Sequence, residues 1–234
     1  MVSVARARAL EQSWMRHELL RVAPTAWSQT LASRPDLAAV PHLANWIDNG
    51  WPVIVRRRVC DDRADQVPIG VPLPPSAGKQ RIGLTIQPQS VLERSSPPSL
   101  WTVRHAASAS WKRAIRDLVL LGMRYAASPT VIGSLFWQYR TGLRYLSAQS
   151  DIDVLWQAPP GYCIHSLLAG VEKIERAEGI RIDGEVIFRD GSAVNWRELH
   201  LALGQGCTAE VLVKSMHSAR LRKLSDLPAA WRAT

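Results

Sequence analysis

Residues 130–156, TVIGSLFWQYRTGLRYLSAQSDIDVLW, contain the pattern from which we interpret the rest of the chain. A β-branched run ends at Gly133 and Ser134, and a later hydrophobic segment begins with Asp151 and Asp153. Because successive side chains on a strand point to opposite faces, the two aspartates are expected to share one face. Neighbouring carboxylates raise each other's pKa unless a cation lies between them. A hard divalent cation such as Mg²⁺ takes oxygen ligands, so the stretch predicts a magnesium site.

The pair Gly133-Ser134 supplies groups that suit a phosphate. Glycine lets backbone N–H groups approach an anion closely, and serine adds a hydroxyl donor. A strand ending in Gly-Ser, followed by a strand with Asp-x-Asp, resembles the signature of the DNA polymerase β-type nucleotidyltransferase superfamily. The resemblance implies transfer of a nucleoside-monophosphate-like group to a hydroxyl with release of pyrophosphate. It also implies a third carboxylate on a later strand, and Asp183 is in position for that role.

Composition sets broad limits on the protein class. The 234 residues suffice for one large or two small domains, and 47% of them are hydrophobic. The three cysteines are widely spaced and fit neither a zinc site nor a disulfide framework. No stretch approaches the roughly 20 apolar residues of a membrane span. We therefore expect a cytoplasmic protein that has no membrane association.

The charge balance indicates anionic partners. The formal net charge is +9 and the pI is about 10.1. Nucleic acids, nucleotides, coenzyme A derivatives and acidic carrier proteins all match this charge. The basic residues are spread along the chain, whereas nucleic-acid binding favours a concentrated stripe. Nucleic acid is therefore the less favoured partner.

The N-terminal part predicts a small α+β domain. Residues 4–20 and 38–49 are predicted helices, with Gly50 as the C-cap of the second. Residues 51–58 and 79–86 are predicted strands. The prolines of residues 70–75 argue against a central strand. The linker-like segment Ser-Ser-Pro-Pro-Ser at residues 95–99 places the predicted division between an accessory domain, 1–98, and a catalytic domain, 99–234.

The C-terminal part predicts an α/β domain with a mixed β-sheet and flanking helices. A helix over residues 108–125 has an apolar face at helical spacing, which includes Ile115, Leu118, Val119 and Met123. A second helix over 161–179 ends at Gly179. The pair Asp190-Gly191 predicts a hairpin turn. The remaining predictions are strands over 180–188, 193–199 and 210–214, and a basic, partly helical tail over 219–234.

The long connector of 16 residues between Ser134 and Asp151 points to a narrower family. The chain resembles the malonate decarboxylase holo-acyl-carrier-protein synthases, also called phosphoribosyl-dephospho-CoA transferases. The matches span nearly the whole chain in order. They are Arg16-His17, Trp51-Pro52, Val55-Arg56-Arg57, Gly70-Val71-Pro72-Leu73-Pro74, Lys79-x-Arg81-Ile82, Gly133-Ser134-Leu135-Phe136-Trp137-Gln138, Thr141-Gly142-Leu143-Arg144-Tyr145-Leu146, Ser150-Asp151-Ile152-Asp153-Val154-Leu155, Asp183-Gly184-Glu185 and Ala193-Val194-Asn195-Trp196-Arg197-Glu198.

This resemblance implies a reaction and roles for the site residues. The implied donor is 2'-(5''-triphosphoribosyl)-3'-dephospho-CoA, and the acceptor is a serine of the acyl-carrier subunit of malonate decarboxylase. Asp151, Asp153 and Asp183 are expected to be catalytic and to bind Mg²⁺. Gly133 and Ser134 are expected to hold the β- and γ-phosphates of the donor.

Further candidates are weighed against ordinary structural roles. Lys79 and Arg81 are candidate contacts for the triphosphate or the dephospho-CoA. The alternative is that they are only the solvated basic end of a strand. Trp137 is a candidate wall of the donor pocket. Residues 56–58 are candidates to face the acidic carrier, although surface arginines are commonly only solvated. His17 is more simply explained by helix capping or packing, and Lys214 by a solvated strand end, than by contact with a ligand.

Two other functions remain open at this level. One is a nucleotidyltransferase that acts on a small molecule or RNA. The other is a non-catalytic module that binds a carrier protein or nucleic acid. The presence of Asp151, Asp153 and Asp183 argues against the second, because a binding module has no need of clustered carboxylates.

Overall fold

The N-terminal domain is built on an antiparallel sheet. The computed structural model describes residues 14–158 and 164–227. The first sheet consists of β1 (Leu19–Val22), β2 (Val53–Val55), β3 (Val67–Pro72), β4 (Arg81–Ile86) and β5 (Val91–Ser95). Its strand order is β4-β3-β2-β1-β5, and all neighbours are antiparallel. Helix α1 (Pro24–Ala32) follows β1 and buries Trp27 in the core.

The C-terminal domain is built on a mixed sheet. Its strands are β6 (Thr130–Val131), β7 (Ile152–Gln157), β8 (Ile182–Ile187), β9 (Ala193–Asn195), β10 (Glu210–Lys214) and β11 (Ala219–Lys223). They lie in the order β11-β10-β9-β8-β7-β6. Among these described strands, only β7 and β8 run parallel, and the other neighbouring pairs are antiparallel. The prediction of two domains, the second with a mixed sheet and helices, is confirmed.

Helices pack against this second sheet and against one another. They are α2 (Leu100–Val103), α3 (Lys112–Arg124), α4 (Gly133–Thr141), α5 (Ile164–Glu178) and α6 (Trp196–Gln205). Helix α5 packs between α3 and α6, and α6 contacts β8, β9 and β10. Ile152, Val154 and Trp156 of β7 are fully buried on one side of the strand. Because side chains alternate along a strand, Asp153 faces the opposite side.

Of the two predicted helix ends at a glycine, the one at Gly179 is found where it was expected, and so is the predicted hairpin, whereas Gly50 ends no α-helix. Gly179 has a φ of 64° and donates its N–H to the Glu175 carbonyl, which ends α5. Gly191, with a φ of 76°, turns the chain from β8 into β9. Among the residues that the structure describes, no helix has the length and apolar character to cross a membrane.

Several N-terminal predictions are wrong. In the predicted helix 4–20, residues 14–20 form a turn and the start of β1, while residues 4–13 lie outside the described chain. Residues 38–49 form successive turns instead of an α-helix, with His42 at a φ of 68°. The apolar side chains of this segment still reach the core. Trp46 is fully buried, and its indole N–H donates to the Pro52 carbonyl at 2.9 Å.

Residues 70–72 of the proline-rich segment belong to an interior strand, contrary to the prediction, whereas residues 73–75 lie beyond its end. β3 lies between β2 and β4 and includes Pro68 and Pro72. Its register with β2 involves only Ile69 and Gly70, so neither proline has to donate a hydrogen bond there. Pro68 contributes through its carbonyl, which accepts the N–H of Arg56 at 3.1 Å.

Three C-terminal predictions also need correction. The predicted strand 193–199 ends at Asn195, where α6 begins. The tail predicted to be partly helical contains β11 and a short 3-10 turn up to Leu227, and the remainder is not described. Met123 is 67% exposed although it lies on the predicted apolar face of α3. Helix α5 is described only from Ile164 onward, so its predicted start at residues 161–163 lies outside the described chain.

Candidate active site

The parallel pair β7 and β8 brings three carboxylates together. Asp153 and Asp183 are direct register partners, and Asp151 immediately precedes β7. One carboxylate oxygen from each of the three lies within 4.8 Å of the others. All three side chains are partly buried. The predicted meeting of Asp183 with the Asp-x-Asp pair is therefore present in the fold.

Gly133 lies against the carboxylate of Asp153. The N–H of Ile132 donates to the Asp153 carbonyl at 3.1 Å, which brings the start of α4 beside β7. Gly133 has a φ of 66°, and a Cβ built there would lie 1.8 Å from Asp153 Oδ2. Only glycine fits this position, both for its backbone angle and for the space. The backbone N–H of Ser134 also forms a hydrogen bond with Asp153.

Asp183 is held by two donors on one of its oxygens. Its Oδ1 accepts the backbone N–H of Gly184 at 2.7 Å and the side-chain amide of Asn195 at 2.8 Å. In the described part of the chain, Oδ2 has no hydrogen-bond partner. Gly184 has a φ of 142°, and a Cβ there would lie 1.7 Å from the Val154 carbonyl oxygen. The fixed carboxylate thus leaves one oxygen for a ligand.

Asn195 is a site residue that the sequence pattern did not predict. Its Oδ1 caps α6 by accepting the backbone N–H groups of Arg197 at 3.0 Å and Glu198 at 3.4 Å. Its amide group holds Asp183 at the same time. The sequence Asn195-Trp196-Arg197-Glu198 has the spacing of a capping box, which was a usable signal for the start of a helix. The contact with Asp183 had no such signal.

The carboxylate cluster is electrostatically unfavourable without a cation. Burial, together with the charges of Asp151 and Asp183, raises the pKa of Asp153 to about 7. The positive charge of Arg81 and the Ser134 N–H oppose the increase. Arg181 lies 3.9 Å from Asp151, with 72% of its side chain exposed. A divalent cation bound between the three groups would remove this repulsion, so the donor set fits a metal that prefers oxygen.

A cleft of about 590 Å³ opens between the two domains at this cluster. Its wall includes most of the predicted site residues, namely Lys79, Arg81, Gly133, Ser134, Trp137, Asp153 and Asp183. Asp151 is not part of the wall and lies beside Arg181. Lys79 and Arg81 are exposed, whereas Trp137 is only 3% exposed and packs against Trp46 and Phe136. Trp137 therefore contributes mainly to the core and little surface to the cleft.

The three consecutive arginines have different surroundings. Arg56 forms an ion pair with Asp62 at 2.6 Å and donates to the Ile69 carbonyl. Arg58 donates to the carbonyls of Arg63 and Gln66. Arg57 is exposed and lines the cleft. Arg56 also lines the cleft, but its guanidinium is engaged by Asp62, so Arg57 is the one of the three whose charge is open to an anionic partner.

A second charged cluster in the cleft was not predicted. This Glu185 cluster consists of Glu185, Arg16, His17 and Lys214. Glu185 lies 2.8 Å from Arg16, 3.3 Å from His17 and 2.9 Å from Lys214. Burial alone would raise the pKa of Glu185, but the hydrogen bond from His17 and the charge of Arg16 outweigh it and hold that pKa well below its usual range. His17 and Lys214 therefore take part in the cleft, and the cluster joins the two domains.

Comparison with known proteins agrees with this arrangement. The family model described as Phosphoribosyl-dephospho-CoA transferase MdcG N-terminal domain matches residues 15–97, and the corresponding C-terminal domain matches residues 99–225. A protein of Bradyrhizobium diazoefficiens with the name phosphoribosyl-dephospho-CoA transferase is 42% identical over 201 residues, which cover 86% of each chain. A protein with the same name from Xanthomonas axonopodis pv. citri is 36% identical over 208 residues, covering 88% of this chain and 92% of the relative.

A third relative of this name, from Xanthomonas campestris pv. campestris, is 35% identical over 206 residues, covering 88% of this chain and 92% of its own. No solved structure gives a significant match. The two family models together extend from residue 15 to residue 225. The chain therefore belongs to the phosphoribosyl-dephospho-CoA transferase family.

Proposed function

We propose that the protein attaches the prosthetic group of malonate decarboxylase. In this reaction, phosphoribosyl-dephospho-CoA passes from 2'-(5''-triphosphoribosyl)-3'-dephospho-CoA to a serine of the apo acyl-carrier subunit, and pyrophosphate is released. The observation that carries the proposal is the register of Asp153 with Asp183 beside Gly133, in a chain of this family. This arrangement places a carboxylate cluster next to the beginning of a helix, in a cleft that has basic residues on its wall.

The proposed cofactor is Mg²⁺, held by Asp151, Asp153 and Asp183. Carboxylate oxygens are the ligands that Mg²⁺ prefers, and three of them lie within 4.8 Å of one another. When bound, Mg²⁺ neutralises phosphate charge and lowers the pKa of an attacking hydroxyl. The raised pKa of Asp153 supports this assignment, because a cation would stabilise the ionised carboxylate.

The side chains have separate roles in the proposed reaction. The carrier serine oxygen attacks the α-phosphorus of the donor, and the bond from that phosphorus to the β-phosphate oxygen breaks. Pyrophosphate leaves with the electron pair of that bond. Asp183, whose Oδ1 is held by Asn195 and Gly184, would offer Oδ2 to the cation, and the serine proton passes to solvent water. Phosphoryl transfer depends mainly on positioning and charge neutralisation, so no nucleophile from the enzyme is required.

The other site residues bind the donor. Gly133 and Ser134 lie where α4 begins. The Ser134 N–H is used by Asp153, so the Ser134 hydroxyl and the other N–H groups of the first helical turn are the donors offered to phosphate oxygens. Lys79 and Arg81, exposed on the opposite wall, add positive charge toward the triphosphate or the dephospho-CoA. Trp137 contributes little surface to the donor pocket and supports its wall by packing against Trp46 and Phe136. We also place the C-terminal domain in the DNA polymerase β-type nucleotidyltransferase superfamily, with the domain division at residues 98 and 99.

One incubation tests the proposal. The protein is mixed with the triphosphoribosyl donor, Mg²⁺ and the apo carrier subunit. The expected result is a mass increase of the carrier by one phosphoribosyl-dephospho-CoA group, with one pyrophosphate released per carrier. Labelling of RNA or of a small molecule from ATP, without carrier modification, would favour a different nucleotidyltransferase. Carrier binding without transfer to any acceptor would indicate a non-catalytic module.

A further inference from the structure

Lys214 presents a charged group to the same cleft as the carboxylates. It is the last residue of β10, and its Nζ donates to Glu185 Oε1 at 2.9 Å. About 30% of its side chain is exposed, and it lines the cleft together with Asp153 and Asp183. A ligand that occupies the cleft can therefore reach the Lys214 ammonium.

Glu185 does not need Lys214 for charge neutralisation. Nη2 of Arg16 lies 3.1 and 2.8 Å from the two carboxylate oxygens of Glu185, and its side chain is only 11% exposed. The guanidinium alone balances the carboxylate. With His17 counted as neutral, the Glu185 cluster contains two cations and one anion, so it carries one surplus positive charge. That charge is available to an anion in the cleft.

The ammonium also has unused hydrogen-bond donors. A lysine ammonium has three N–H groups. Within residues 14–158 and 164–227, Glu185 is the hydrogen-bond partner of Lys214 Nζ, and it uses one of them. Two donors thus remain for oxygens of a ligand. Oxygen atoms of phosphate groups accept such charge-assisted hydrogen bonds well.

The positions of Asp183 and Glu185 along β8 indicate which phosphates lie within reach of Lys214. Asp183 and Glu185 are two residues apart, and their side chains point to the same side of the strand. Their Cα atoms are therefore separated by roughly 6.5 Å. A polyphosphate that extends from the carboxylate cluster along the strand passes from Asp183 toward the Glu185 cluster.

We propose that Lys214 binds a phosphate of the donor triphosphate and that Glu185 is the positioning residue that holds the Lys214 ammonium in place. The inference rests on the proposed function, because the triphosphate belongs to the proposed donor. The roles of the other members are structural. Arg16 neutralises Glu185. The backbone N–H of His17 donates to the Val55 carbonyl at 2.9 Å within the N-terminal domain, and its Nε2, 3.3 Å from Glu185, supports the contact between the domains.

The test compares Lys214→Met with Lys173→Met, a control in which an exposed lysine on α5, outside the cleft, loses its charge. The donor KM is measured in the transfer assay. Separately, the affinity for inorganic tripolyphosphate with Mg²⁺ is measured by calorimetry. Loss of a charged hydrogen bond should raise the donor KM and weaken tripolyphosphate binding about tenfold to a hundredfold. Lys214→Arg should restore part of the affinity, and Lys173→Met should match the wild type.

Two further variants keep the inference falsifiable. Lys214→Gln keeps a hydrogen-bond donor toward Glu185 without the positive charge, so it retains the interior contact if Lys214→Met does not fold, and it should also lose affinity. Glu185→Gln should weaken tripolyphosphate binding because the ammonium loses its anchor. Equal tripolyphosphate affinity and donor KM in the wild type and Lys214→Met, with only a lower Tm, would overturn the role of Lys214. Unchanged affinity in Glu185→Gln would overturn the positioning role.

The calorimetric arm separates this inference from the proposed function. A wild type that binds tripolyphosphate through Lys214 but does not modify the carrier would support the inference and reject the carrier reaction. A wild type that modifies the carrier while Lys214→Met behaves identically would support the reaction and reject the inference.

Discussion

Asp153 and Asp183 lie side by side as register partners on β7 and β8, the only parallel strand pair in the described part of the C-terminal sheet. The two residues are 30 positions apart in the sequence, but the parallel pairing of their strands places the two carboxylates next to each other. The carboxylates of this partly buried cluster repel one another. The repulsion, and the contacts that hold the carboxylates in place, should have measurable effects on activity and stability.

Asp153→Asn should abolish transfer and the stabilisation that Mg²⁺ provides. At a free metal concentration of about one hundred times its Kd, binding to the folded state adds about 2.7 kcal/mol to the free energy of unfolding. Thermal melting with and without Mg²⁺ measures this difference. Asp48→Asn, an exposed aspartate outside the cleft, should retain both properties. A Tm increase with Mg²⁺ in Asp153→Asn that equals the wild-type increase would contradict the metal assignment.

The metal-free protein should lose stability as the pH rises from about 4 to about 7. The pKa of Asp153 is about 7 in the folded protein, against 3.8 for an ordinary aspartate, so the folded state binds more protons between these values. Stability falls with pH wherever the folded state binds more protons, and the penalty is complete above pH 7. The difference corresponds to roughly 4 kcal/mol at most.

Urea unfolding across this pH range, in EDTA, measures the loss. Asp153→Asn should flatten the profile and make the metal-free protein more stable than the wild type at pH 8. Mg²⁺ affinity should increase with pH over the same range, because the metal competes with the proton on Asp153. A wild-type profile identical to that of Asp153→Asn would show that Asp153 does not titrate in this window.

Gly133→Ala should reduce transfer about a hundredfold, since a misplacement of about 1 Å in a site is enough for such a loss. The new methyl group would lie where Asp153 Oδ2 lies, 1.8 Å from an ideal Cβ, so the carboxylate must move. Gly142→Ala is the matched control. Gly142 has a similar φ of 72°, but no atom lies within 4 Å of its Cβ position.

Both glycine variants should lose about 1–2 kcal/mol of stability through the left-handed backbone angle. Steady-state kinetics and denaturant unfolding separate the two effects. Activity lost to the same extent in Gly142→Ala would mean that backbone strain, and not the clash with Asp153, explains the result.

Asn195→Ser should separate the two tasks of Asn195. Serine is a good N-cap, so α6 and the overall stability should change little, while the donor to Asp183 Oδ1 is lost. Asn195→Ala should lose the donor and also about 1 kcal/mol from the missing cap. Transfer should decrease in both variants by a similar factor, and only the alanine variant should show a clearly lower Tm. Full activity in Asn195→Ser would exclude a positioning role for this contact.

Local sequence signals predicted the elements that depend on nearby residues. The helix around Ile115 and Leu118, the Gly191 hairpin and the Gly179 helix end all follow from periodicity or backbone angles within a few positions. The predictions around residues 38–49 and 193–199 were wrong for a related reason. The apolar spacing in the first segment reflects burial of Leu43 and Trp46, which lie in turns. At Asn195 the apolar residues favour a strand, but the side chain of Asn195 caps α6.

The candidate site was predictable in part. Asp151, Asp153, Asp183, Gly133 and Ser134 form a pattern along the chain, and the fold brings them together. The Glu185 cluster had no comparable signal, because its members come from positions 16, 17, 185 and 214. Ion pairs between such distant positions depend on how two sheets pack, and no local spacing encodes that packing.

The sequence by itself determined which groups the candidate site offers, namely carboxylates at two-residue spacing and a glycine-serine pair. Only the tertiary structure decided the position of Asp183, the double use of Asn195 and the meeting of Lys214 with Glu185. The physical reason is that strand alternation and turn geometry act over a few residues, whereas strand pairing and domain contact join residues far apart. The charged residues of the Glu185 cluster therefore come into contact only once the strands have paired and the two domains have packed together.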